Sequence, residues 1–172
     1  MKTLLSVIDR ISQMLGRISE LVVVLLIASM LYEVVARYVF GAPTLWAFDI
    51  AYMSTGALFV LGAAQTLRED AHVRIDVLSS RFPPRLRGAI DGVAFLFLLC
   101  PVFAMLARIA GQKAWRAFLN GEVETVSPWA PLMWPFYSVL TLGLAVLALQ
   151  LAAQGIRALI APPKPDSFRL EA

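Results

Sequence analysis

Few side chains in this sequence are equipped for chemistry. Glu33 and Arg37 stand four residues apart in an apolar run, so on a helix they share one face. Two readings stay open for them. Intramembrane charge is costly, so the pair could be buried against a partner or a polar pathway. Alternatively, Arg37 reaches up to the interface and Glu33 accompanies it. Asp49 follows Pro43 and Trp46 at the start of the next apolar run, where a carboxylate complements the positive end of a helix dipole. Asp91 opens a third run in the same way. His72, the single histidine, could pair with Asp76 at i, i+4, but the simpler reading is a loop residue that fixes a helix entry by hydrogen bonds. Cys100, the single cysteine, lies inside an apolar run; it cannot form an internal disulfide and reads as a small packing residue.

These residues do not assemble into a catalytic set. One histidine cannot ligate paired haems or build a histidine-rich metal centre. The sequence has no phosphate-binding glycine loop, no cysteine pair for thiol–disulfide exchange and no serine in a nucleophile-elbow context. We therefore expect no enzyme, no metal and no cofactor in this chain. A complete transporter is equally unexpected, because no pair of repeats or interrupted helices is evident.

The elements that carry these residues are apolar and long. Of 172 residues, 59% are hydrophobic and 16% charged, and the mean hydropathy is +0.74. A soluble domain carries about a quarter charged residues. Here the charges fall in short blocks between apolar runs, the pattern of a membrane protein. The expected class is an all-α integral membrane protein forming one membrane domain, with spans at about 18–39, 45–67, 88–110 and 134–153. The third is expected to continue as helix to about Leu119, with Asn120-Gly121 ending it. Leu4, Ile8, Ile11, Leu15 and Ile18 recur at helical spacing, so residues 2–18 form an amphipathic segment that either lies in the interface or extends span one. The first run has no small-residue cleavage site and is read as a retained span. Between spans two and three, Val73, Val77 and Leu78 mark an interfacial segment broken at Pro83-Pro84. The tail, 160–172, with Pro162-Pro163-Lys164-Pro165, is expected to be exposed.

Lys and Arg set an orientation. Lys2, Arg10 and Arg17, then Arg68, Arg74, Arg81, Arg85 and Arg87, then Arg157, Lys164 and Arg169 fall on one side, against Arg37, Arg108, Lys113 and Arg116 on the other. The positive-inside rule puts both termini in the cytoplasm. Trp46, Trp115, Trp129 and Trp134 then gather at the opposite interface, as an aromatic belt would. The net charge of +3 is spread between apolar runs and forms no continuous basic face, so nucleic acid is not an expected partner.

The order of residues also carries a resemblance. The stretch Arg37-Tyr38-Val39-Phe40-Gly41-Ala42-Pro43-Thr44-Leu45-Trp46-Ala47-Phe48-Asp49 resembles the first signature of the DctQ-type small membrane subunit of tripartite ATP-independent periplasmic (TRAP) transporters. Gly62-Ala63, Arg68 and His72-Val73-Arg74-Ile75-Asp76 continue it, and Pro131, Trp134, Tyr137 and Gly143 echo it in span four. There are two departures. The family's acidic pair after the tryptophan is here Phe48-Asp49, so only the second carboxylate is kept. Thr141 stands where a proline often precedes the span-four glycine.

The resemblance implies a bacterial or archaeal cytoplasmic membrane and secondary, typically sodium-coupled, uptake of organic acids. A periplasmic binding protein would deliver substrate to a large DctM-type membrane subunit, and the small subunit would widen that subunit's stationary scaffold. It makes Glu33, Arg37, Pro43, Trp46, Asp49, Gly62, Arg68, His72 and Asp76 candidates for the family motif and partner interface. Lys113, Arg116, Glu122 and Glu124 are candidates for touching a docked binding protein, and Arg81, Arg85 and Arg87 for phospholipid head groups. An accessory subunit of another membrane complex, such as a tripartite tricarboxylate transporter, is the alternative.

Overall fold

The computed structural model describes residues 2–69 and 84–160. Helix α1 (Lys2–Tyr38) is one unbroken rod of 37 residues, so the N-terminal segment extends span one. Its buried face only partly follows the apolar stripe of the N-terminal segment. Ser12, Leu15, Ser29, Glu33 and Ala36 are buried, while Ile11, Ile18, Leu21, Val24, Leu25 and Leu31 are exposed. The spacing is helical on both faces, but small and polar residues point inward and large apolar ones outward. In a hydrocarbon solvent this polarity is favourable, because association is driven by close packing and hydrogen bonding.

Helix α2 (Ala47–Arg68) returns antiparallel. The third span is composite: α3 (Pro84–Val93), a π-helical turn (Ala94–Leu99) and α4 (Cys100–Asn120) follow without interruption. Pro101 accounts for the π turn. A proline has no N–H, and its ring crowds the carbonyl four residues back. A register with one extra residue per turn removes the conflict, and the Cys100 N–H donates to the Phe95 carbonyl. Gly121, at φ +60°, ends α4 where Asn120-Gly121 predicts it.

Helix α5 (Trp134–Ile160) is seven residues longer than expected. Gln154 and Arg157, just beyond the expected end, are satisfied by α2 and α1 and let the helix continue.

The four expected spans are thus present, each long and apolar enough to cross a membrane. They do not close into a four-helix bundle. Contacts run α1 to α2, α2 to α5 and α5 to α4, with α1 touching α5 and no substantial contact between α1 and the third span. The result is a row in the order α1, α2, α5, α4. Its core, built on Leu15, Leu61, Ala64, Leu67, Val146, Leu147 and Leu151, lies towards the end that holds the start of α1 and the finish of α5. We call this the terminal end, and the opposite one the loop end.

Two close approaches set the seams. At Gly143 an added Cβ would lie 2.9 Å from the Val60 carbonyl, fixing α5 on α2. At Gly155 it would lie 3.1 Å from the Gly92 carbonyl, fixing α5 on α3. The expected interfacial segment between spans two and three, and the expected exposed tail beyond Ile160, lie outside the described residues.

Candidate functional site

The polar side chains gather at the two ends of the row. At the loop end, α1 turns into α2 through Gly41, at φ +62°, and Glu33 holds the turn. Its carboxylate is 7% exposed. One oxygen accepts from Arg37, at 2.8 Å from Nε, with Nη2 bonding the same oxygen. The other accepts the Thr44 backbone N–H at 2.9 Å and the Thr44 hydroxyl. The Ala42 N–H closes on the Ala36 carbonyl at 2.9 Å, and Tyr32 stacks on Trp46 at 5.6 Å. Glu33 is thus buried and bonded within the chain, while the Arg37 side chain stays 53% exposed. Pro43 is exposed in the turn, and Trp46 stands immediately before α2.

Asp49 is 4% exposed in the first turn of α2. Its position fits the helix-start reading, but its side chain does more: Oδ2 accepts the hydroxyl of Ser127, 78 residues away. Ser127 Oγ also accepts the Trp129 N–H at 3.2 Å. A bridge between Val123 and Leu132 and the Met133 N–H to Glu122 carbonyl bond, 3.0 Å, shape the same loop. Asp49 thus ties the loop between α4 and α5 to the start of α2. Phe48, where the family's first acid would stand, points outward and is exposed.

The residues expected to face a docked protein lie around this loop and on α4. Arg116 and Glu122 are exposed. Lys113 lies over the Tyr137 ring, 4.5 Å from its centroid, and Glu124 accepts the Val126 N–H at 3.2 Å within its own loop. Gly62 sits in the α1–α2 seam, where an added Cβ would meet the Ser19 hydroxyl at 3.4 Å. His72, Asp76 and Arg81 lie outside the described residues. Arg85 and Arg87 fall on α3, but their side chains are likewise outside the description.

At the terminal end the structure assembles a network that the sequence reading missed. The Ser12 hydroxyl donates to Gln150 Oε1 at 2.9 Å, and both side chains are fully buried. Gln150 Nε2 donates to Asp9 Oδ1 at 3.1 Å. Arg157 meets Asp9 Oδ2 at 2.6 Å, Arg68 reaches the Asp9 carbonyl at 3.4 Å, and Gln154 donates to the Leu67 carbonyl at 3.3 Å. Three helices, α1, α2 and α5, are joined by side chains that each lie in or beside an apolar run. Two glutamines one helical turn apart near the end of an apolar run, with an aspartate near the end of another, were the available signal.

No group of three metal-ligating side chains occurs among the described residues. What the polar groups do is join helix to helix and helix to loop, leaving large apolar faces of α1 and α4 uncovered. A soluble monomer does not expose such surface. The molecule is a multi-pass helical membrane protein.

Comparison with known proteins narrows that class to a family. The profile of the DctQ component of tripartite ATP-independent periplasmic transporters matches residues 26–161, and the chain belongs to this family. It is similar to the C4-dicarboxylate TRAP transporter small permease protein DctQ of Vibrio cholerae serotype O1, with 26% identity over 116 residues, 65% of this chain and 49% of that protein. The chain thus spans about half the length of this curated relative. No solved structure matches it.

Proposed function

We propose that this chain is the non-catalytic scaffold subunit of a TRAP transporter of the bacterial inner membrane, packed on a large DctM-type subunit. The large subunit carries secondary, sodium-coupled uptake of an organic acid delivered by a periplasmic binding protein. The chain holds no cofactor of its own, and both of its termini are cytoplasmic.

The observation that carries this reading is the open row of helices. A closed bundle would bury its own seams and offer lipid a cylinder. A row has two broad sides and two uncovered edge helices, and here those edges are apolar along most of their length. Such a shape gains from lying beside another helical protein, which it widens. The polar groups support a stationary role, since they tie the row to itself at both ends. Buried polar contacts of this kind resist relative motion of the helices.

The test is uptake in the native host. Deleting the chain should abolish sodium-dependent uptake of an organic acid, and full-length chain supplied in trans should restore it. Uptake that persists at its full rate in the deletion strain would refute the proposal.

A further inference from the structure

At the terminal end α1 leans on α5; at the loop end α1 and α4 stand apart, with α2 and α5 as the floor between them. This leaves a cleft of about 950 Å³ that all four helices line. Its rim is polar, with Arg37, Thr44, Lys113 and Tyr137, and its depth is apolar, with Phe59, Val60 and Leu140. Phe59 lies roughly 16 Å further along α2 than Phe48, about half the thickness of a bilayer core.

The rim is biased towards anions. Glu33 already accepts from Arg37 and Thr44 on both oxygens, while Lys113 rests over Tyr137 and makes no ion pair among the described residues. Among the lining residues two cations stand against one engaged carboxylate, and Glu122, which acts on Lys113 from outside the lining, makes no ion pair with it. The floor argues against a partner's helix as the occupant. Helices that pack closely in membranes meet through small residues, whereas Phe48, Tyr52 and Phe59 stand exposed here. Bulky, separated rings suit a flexible chain that can thread between them.

We propose that this cleft is a binding site for an anionic phospholipid of the leaflet at the loop end. The phosphodiester lies against Lys113 and the Arg37 guanidinium, and one acyl chain runs down along Phe59, Val60 and Leu140. The site goes beyond the scaffold role and does not depend on which subunit the chain packs against.

Native mass spectrometry of the full chain tests this, with the chain released from nanodiscs holding equal amounts of phosphatidylglycerol and phosphatidylcholine with the same acyl chains. One phosphatidylglycerol should remain after the other lipids are stripped. Lys113→Gln should lower that retention about tenfold, the loss of one charge-assisted contact. Leu140→Trp, which obstructs the acyl path and leaves both cations in place, should also lower it, and circular dichroism of both variants should match the parent. Equal retention of the two lipids, or unchanged retention in either variant, would overturn the proposal. So would displacement of the bound lipid by glycerophosphoglycerol, which has no acyl chains, since that would mark a plain anion site.

Discussion

Gln150 illustrates what a polar side chain does in this molecule. In water a surface glutamine contributes little to a fold. Here it is fully buried, with its oxygen on Ser12 and its nitrogen on Asp9, and no water is at hand in hydrocarbon to take over either bond. Gln150→Leu should therefore lower stability in detergent by about 1 kcal/mol. Adding Ser12→Ala should cost little more, because the partner is already gone. Thermal unfolding of the two single variants and the double variant checks both statements. Glu33 makes the matching case at the loop end. Glu33→Gln weakens the hold on Arg37 and Thr44 and should lower the unfolding midpoint, and Arg37→Gln added to it should lower the midpoint much less than it does alone. Full additivity of the two would mean that the pair is not coupled.

Among the elements, the seams between α5 and its neighbours depend on absent side chains. A Cβ at Gly155 would meet the Gly92 carbonyl at 3.1 Å and the Leu96 backbone N at 3.2 Å, so the obstruction is backbone and cannot rotate away. Gly155→Leu should destabilise the chain by about 1–3 kcal/mol, measurable as loss of the folded form in a detergent denaturation series. The existence and order of the spans were legible in the sequence, because clustered apolar runs admit few alternatives at this length. Which face of α1 is buried was not legible. Of the stripe at Ile8, Ile11, Leu15 and Ile18, Leu15 is buried while Ile11 and Ile18 are exposed, and apolar spacing alone does not separate them. The extension of α5 past Ala153 was hidden for another reason: Gln154 and Arg157 are polar residues in an apolar run, and their partners, the Leu67 carbonyl and Asp9, come from other helices. Pro101 marked the π turn, but a proline alone does not say whether a helix ends, kinks or shifts register. Of the candidate site, Glu33, Arg37 and Asp49 were visible as charges in apolar runs. Their partners Thr44 and Ser127 were not, since both come from loops whose path only the fold determines.

For the whole molecule, the arrangement predicts how the chain sits in its membrane. With Arg10, Arg17, Arg68 and Arg157 on the terminal side, single cysteines placed at Lys2 and at Ala172 in a Cys100→Ala background should resist a membrane-impermeant thiol reagent in intact cells. One placed at Val126, an exposed position in the loop between α4 and α5, should react. The reverse pattern would invert the proposed orientation. The central claim, that the row of helices serves as scaffold for a larger permease, is tested most directly by purifying the tagged chain from its native host in mild detergent and identifying by mass what accompanies it. The account predicts a large multi-pass membrane protein in stoichiometric amount. Recovery of the chain alone across several gentle detergents, or in company with an unrelated complex, would contradict it.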